Sequence, residues 1–404
     1  GEVENAVEKR GPAQRSAHPR PSAGGRAGSL GEASVLGEQD NDAREATAED
    51  PCDEFRDKDD PGSENLKEAQ NNLPETLPEG ISVRVTRALG SRGYNKVRVS
   101  LVHFGSEPAE DSGDVKWTYS KKFEHKWTNC YIKSAVVDAK PGGAMSVSLD
   151  DQTINIKLPA EGDGVRILLM ADPCLHCRGG GHLGVKEMTS ELLNGMAAAG
   201  ELDSWVTVGD NWYDVTGKAH NELWNTFSRA TQSLFFGATL GNHDFWIDGH
   251  PPGKSHDSYG NGHTQWYGLD SMAAKEDEAK LYDLSKQPGE VVDVSNTFWY
   301  NAIGNVVLIG FSNNYAWSSV EEWFKEACSY AGEADAKLVL VMGHWNYAQM
   351  GVTEDMTTPK VWERVKELDG CSGTKVKFVL GHTHENNNKQ TGQNFMVGAW
   401  GYRS

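Results

Sequence analysis

No run of about 18 apolar residues occurs in the 404-residue chain, so no membrane-spanning helix is expected. Lys and Arg number 39 against 58 Asp and Glu, the formal charge is −19, and no basic cluster stands out. That balance argues against a nucleic-acid or anionic-membrane partner held through bulk charge. Cysteine is sparse: Cys52, Cys130, Cys174, Cys177, Cys328 and Cys371 are too few and too scattered for a disulfide framework in a chain this long. Asn-x-Ser/Thr sequons are absent, and so is a charged-then-apolar leader pattern. Because the chain starts at Gly1, a secreted or luminal address after removal of a leader stays open.

Aromatics are missing from the first 80 residues apart from Phe55, and that stretch holds 9 Lys/Arg against 19 Asp/Glu, about half of the whole net charge. Such a segment cannot bury enough apolar surface to offset the entropy of ordering, so residues 1–80 are expected to be a disordered acidic tail. From Ile81 the pattern changes to alternation, in Ile81–Val85, Val97–Leu101, Lys116–Tyr119 and Met145–Leu149, with Gly, Pro and Asp turns between. Alternation predicts half-buried strands, and their spacing suggests a small β-rich, sandwich-like domain over 81–160.

After Gly164 the texture is that of an α/β domain over 161–404. Apolar runs at Val165–Ala171, Trp205–Val208, Phe236–Leu240, Val306–Phe311, Leu338–Met342 and Val376–Leu380 read as buried strands. Helical spacing appears at Lys186–Ala199, His220–Ser233, Ser319–Ala331 and Pro359–Leu368. In such folds sites form where the carboxyl ends of strands meet their loops.

All but one of those runs end in a potential metal ligand: Asp172, Asp210, Asn242, His344, and His382 with His384. One Asp or Asn at a strand end is an ordinary helix cap or turn former. Five endings in series need another cause. A two-metal hydrolytic site needs a carboxylate able to bridge both ions, oxygen donors for the harder ion, and imidazoles that bind without adding charge. This set holds each type. Alternate residues on an extended segment point oppositely, so Gly381-His382-Thr383-His384 needs a turn to aim both rings at one centre, and the leading Gly is expected to permit it.

In their order these endings form the blocks Asp172, Gly209-Asp210-Asn211-Trp212-Tyr213, Gly241-Asn242-His243-Asp244, Gly343-His344 and Gly381-His382-Thr383-His384. The chain thereby resembles the calcineurin-like metallophosphoesterase superfamily over about 165–400. Within it the form GDxxY at Gly209–Tyr213 and VxxH at Val341–His344 is most similar to the purple acid phosphatases. The first block departs from that pattern: Ala171-Asp172-Pro173-Cys174 stands in place of GDxG, and Cys174, His176, Cys177 and His182 crowd the position where a D-x-H form would place His.

The resemblance implies an α/β sandwich of two central β-sheets flanked by helices. It also implies two metal ions, iron with iron, zinc or manganese. By that likeness Asp210 bridges them, Asp172, Tyr213 and His384 hold the first, and Asn242, His344 and His382 hold the second. A metal-bound hydroxide would attack phosphorus, with His243 assisting the leaving group and Asp214 or Asp244 orienting His243. The implied substrate is a small phosphate monoester. Phosphodiesters or nucleotides are the alternative within the same chemistry, and a catalytically silent metal-binding relative is the alternative outside it. The long loop Phe245–Tyr267, with His250, His256 and His263, and the segment Asn313-Asn314-Tyr315 are expected near the site mouth.

Overall fold

Largely apolar sequence makes the central strands, because a strand covered on both faces has no polar side to show. SWVTV in β8 (Ser204–Val208) and FFGAT in β9 (Phe235–Thr239) are buried at every position. So is VVLIGF in β11 (Val306–Phe311), while LVLVM in β12 (Leu338–Met342) is buried but for its first residue. The computed structural model describes residues 80–87, 93–104, 115–117, 119–124, 129–149, 152–173, 175, 185–211, 218–245, 298–313, 315–349, 352–384 and 395–396. The acidic tail expected over 1–80 thus lies outside the described residues, save for Gly80.

Two sheets carry the architecture. The first has seven strands, in the order β3 (Tyr119–Glu124), β4 (Asn129–Asp138), β2 (Lys96–Phe104), β1 (Gly80–Arg87), β9, β8 and β7 (Ile167–Met170). The second has five, in the order β10 (Phe298–Ile303), β11, β12, β13 (Lys375–Leu380) and β14 (Phe395–Met396). Strands β7, β8 and β9 are parallel, as are β11 to β14. Helices α1 (Lys186–Ala198), α2 (Lys218–Thr226), α3 (Arg229–Gln232), α4 (Trp317–Glu333) and α5 (Thr358–Val365) complete the α/β fold. Trp299 of β10 ties the sheets together, its Nε1 donating to the Ala238 carbonyl of β9 at 2.7 Å. Among the described residues no helix is long and apolar enough to cross a membrane.

The alternating strands of the N-terminal third join the larger sheet. β1 to β4 pair antiparallel and continue the seven-stranded sheet, β1 meeting β9 in parallel at Val85 and Phe235. Two hydrogen bonds fasten the join: Trp224 Nε1 donates to the Val83 carbonyl at 3.1 Å, and the Val83 N–H donates to Gln232 Oε1 at 3.0 Å. The Trp224 ring also packs in a cluster with Trp205, Phe227 and Phe236, with centroids 4.3 to 5.6 Å apart. Strands β5 (Gly143–Leu149) and β6 (Gln152–Leu158) form a separate hairpin.

Three local expectations change. The strand read at Lys116–Tyr119 begins only at Tyr119. The single helix read over His220–Ser233 is two, because Ser228 turns extended and its side chain caps α3 by accepting from the Thr231 N–H at 3.2 Å. And where the sparse cysteines were expected to form no disulfide framework, Cys328 of α4 and Cys371 beyond α5 are joined by a disulfide, 43 residues apart in sequence.

Candidate metal centre

Parallel strands deliver their carboxyl ends to one edge, and here both sheets do so together. Asp172 follows β7, Asp210 follows β8, Asn242 follows β9, Asn313 follows β11, His344 follows β12 and His382 follows β13. Hydrogen bonds stitch these ends across the sheets. The His382 N–H donates to Asp172 Oδ2 at 3.1 Å, joining the end of β13 to that of β7. His344 Nδ1 lies 2.9 Å from the Val208 carbonyl, joining β12 to β8. With Nδ1 held there as donor, Nε2 is left to face the acids.

Asp210, His344 and His382 each offer a ligand atom, and these atoms lie within 4.8 Å of one another. His344 Nε2 is 3.1 Å from Asp210 Oδ2 and 4.0 Å from Asp172 Oδ1. His384 Nε2 is 3.3 Å from Asp172 Oδ1. Asp172, Asp210, Asn242 and His344 are all buried. Among the described residues no hydrogen bond reaches Asp172 Oδ1 or Asn242 Oδ1. Buried acceptors left this way cost free energy, and a metal ion would satisfy them at once. The donor set, carboxylate oxygens with imidazole nitrogens, suits divalent transition ions. A buried Asp-His-His cluster able to coordinate a metal ion is therefore present.

The backbone is bent to build it. Asp172, Asp210, His382 and His384 all have positive φ, at 52°, 51°, 76° and 56°. Non-glycine residues in this region cost roughly 1–3 kcal/mol each and gather at sites where surrounding structure enforces them. The turn in the last block is thus made by the histidines themselves, not by Gly381, whose φ is not positive. Gly381 is required for space instead: a Cβ there would sit 2.5 Å from Asp172 Oδ2 and 2.7 Å from the Ala171 Cβ. Gly209 has both reasons, with φ 92° and the His344 ring where its Cβ would be.

Electrostatics follow from burial and crowding. Burial alone would lower the His344 pKa, but the Asp210 carboxylate, with help from Asp172, overrides it and pushes the value up to about 9. Asp244 goes the other way from an ordinary acid: burial, then the neighbouring Asp210 charge, raise its pKa well above the usual carboxylate range. Its oxygens accept from the Asn211 N–H at 3.0 Å, from Asn211 Nδ2 at 3.0 Å and from the Gly241 N–H at 2.7 Å. These bonds tie the β8 and β9 loops together, which is the role its contacts define.

Asn313 was expected only as a possible contact at the site mouth, and it lies fully buried behind His344. Its Oδ1 accepts from the His344 N–H at 2.9 Å, while its Nδ2 donates to the Met356 carbonyl at 2.7 Å and to Thr358 Oγ1 at 3.2 Å. The apolar run read as ending without a candidate ligand thus supplies a support for one. His243 lies in the 3-10 turn Asn242–Phe245, with its side chain outside the described residues. Tyr213, Asp214, Cys174, His176, Cys177, His182, Asn314 and the loop histidines His250, His256 and His263 also lie outside them.

No family model matches this chain, and no curated protein matches it. Among solved structures it is similar to a purple acid phosphatase, PPD1, from yellow lupin (Lupinus luteus) seeds. The identity is 11% and the TM-score 0.45, over 81% of this chain and 66% of that one. It is also similar to PhoD, at 12% identity and TM-score 0.43, over 81% of this chain and 78% of that one. At such distance the likeness does not decide fold or function, which rest on strand order and on the clustered side chains.

Proposed function

We propose that this chain is a metal-dependent phosphoesterase acting on small phosphate monoesters through a two-metal centre. The observation that carries the reading is the buried convergence of Asp210, His344 and His382, with the Asp172–His384 pair beside them. In this reading Asp210 would serve both ions; Asp172 and His384 would complete one site, Asn242, His344 and His382 the other. Bound there, the cations would lower the pKa of water and offset the charge that grows on phosphoryl oxygens. Tyr213 is the proposed phenolate ligand, a hard donor that favours ferric iron.

The chain's own groups supply the rest. Asp244 and Asn211 hold the turns that carry Asp210 and Asn242. Asn313 fixes the main chain of His344. His243, one residue from Asn242, is the proposed donor of a proton or hydrogen bond to the leaving oxygen. The test is hydrolysis of an aryl phosphate across pH by protein reconstituted with iron, zinc or manganese. Turnover that falls at least a hundredfold in Asp210→Asn and His243→Ala supports the reading; metal-loaded protein that turns over no phosphoester contradicts it. An iron-phenolate absorption band that disappears in Tyr213→Phe supports iron.

A further inference from the structure

The segment after His344 carries side chains that the proposed chemistry leaves unused. Trp345 is fully buried, and its ring meets His344 edge-on at 5.1 Å and leans on His382 at 5.9 Å. On His382 also lies Tyr347, at 5.5 Å between ring centroids and tilted by 52°. Tyr347 differs from Trp345 in one respect: 44% of it is exposed, more than any other aromatic among the described residues. The rings therefore run from a buried core position, through an imidazole of the metal cluster, to a partly exposed aromatic ring.

A lone exposed aromatic needs no explanation, but this one has company. Trp345 Nε1 and Asn346 Oδ1 are buried with no hydrogen-bond partner among the described residues. One donor and one acceptor are thus left unmatched in the two residues that follow His344. Buried polar groups left so cost free energy, and native proteins keep them chiefly where a ligand or ordered water completes them.

We propose that Tyr347 is the specificity-determining wall of the site, and that the substrate is a phosphoester whose alcohol carries a flat ring, as an aryl or nucleoside phosphate does. This rests on the phosphoesterase reading. A phosphoryl group bound beside His382 puts its ester substituent next to that imidazole, and Tyr347 is the exposed ring already at contact distance from it. An offset or edge-on ring pair is worth about 1 kcal/mol, about fivefold in affinity. A straight alkyl substituent offers no face to pair, so the preference is for rings and not for bulk.

The test uses phenylphosphonate and methylphosphonate, neither of which is a phosphate ester, titrated calorimetrically into zinc-reconstituted protein. Wild type should bind phenylphosphonate about fivefold or more tightly than methylphosphonate. That ratio should collapse toward one in Tyr347→Ala and be retained in Tyr347→Phe, with zinc content measured in each variant to show that the centre is intact. A ratio near one in wild type, or a preference that survives Tyr347→Ala, overturns the assignment while leaving the phosphoesterase reading standing. Equal weakening of both ligands in Tyr347→Ala also overturns it, because the ring would then only support His382. Failure of zinc-loaded wild type to bind either phosphonate removes the phosphoesterase reading itself, and this inference with it.

Discussion

Gly209 is where the geometry of the cluster can be probed most sharply, because one added methyl group strikes it directly. Its φ of 92° costs an L-residue about 1–2 kcal/mol, and its Cβ would fall on the His344 ring, 2.7 Å from the His344 Cβ. His344 cannot retreat: it is fully buried, its Nδ1 is held by the Val208 carbonyl and its N–H by Asn313. Overpacking of this kind adds about 1–3 kcal/mol. Gly162 is the matched control, with φ 87° and nothing within 4 Å of its Cβ position. Urea unfolding of metal-free protein should therefore show Gly162→Ala destabilised by about 1–2 kcal/mol and Gly209→Ala by about 2–5 kcal/mol. Gly209→Ala should also lose at least tenfold in zinc affinity while Gly162→Ala keeps it. Equal destabilisation with unaltered zinc affinity would refute the packing of the His344 ring against the Gly209 turn.

Asn313→Ala leaves the His344 N–H and the Met356 carbonyl without partners and should cost about 1–3 kcal/mol by urea unfolding. Zinc affinity should fall about tenfold or more by competition with a chelator, as for other groups that orient a ligand. Because the His344 pKa is raised to about 9 in the folded, metal-free protein, metal binding must displace its proton below that pH. Zinc affinity should climb as pH rises from 6 to 9, with proton release visible by calorimetry in buffers of different ionisation enthalpy. The stability sign is the opposite: the His344–Asp210 pair contributes fully below about 6.5 and its contribution is lost as pH rises through about 9, a dependence that His344→Gln should flatten. Replacing both Cys328 and Cys371 by Ser opens a link between residues 43 apart and should cost about 4 kcal/mol from chain entropy, read by urea unfolding.

Much of the C-terminal α/β half was legible because burial on both faces leaves a plain mark. Val306–Phe311 and Leu338–Met342 are strands over those very residues. β10 was missed: FWYNAI carries Asn301 amid aromatics and follows a long polar stretch, so neither alternation nor a clean apolar run marks it. β6 was missed for a poorer reason, since Ile154, Ile156 and Leu158 alternate openly with exposed Thr153, Asn155 and Lys157. That β1 to β4 extend the same sheet as β7 to β9 could not be read locally, because the join is one pairing between residues 150 apart, Val85 and Phe235. The disulfide was hidden likewise, no local pattern linking Cys328 with Cys371.

At the site, the order of strand endings announced Asp172, Asp210, His344, His382 and His384, which the structure brings together. The supports were harder to see. Asn313 follows an apolar run just as the ligands do, and treating Phe311 as one more strand end would have singled it out. The role of Asp244 depends on two loops lying side by side, and the left-handed turns at His382 and His384 depend on Gly381 making room for Asp172. Spacing alone cannot show such contacts.

The central claim is that these strand ends hold metal at Asp210. The most direct measurement is anomalous scattering from crystals of the protein grown with zinc or iron. Two peaks are predicted, both at about 2.0–2.2 Å from Asp210 oxygens, one also bound by His344 and His382 and the other by Asp172 and His384. Crystals that take up metal elsewhere, or show none within coordination distance of Asp210, would contradict it.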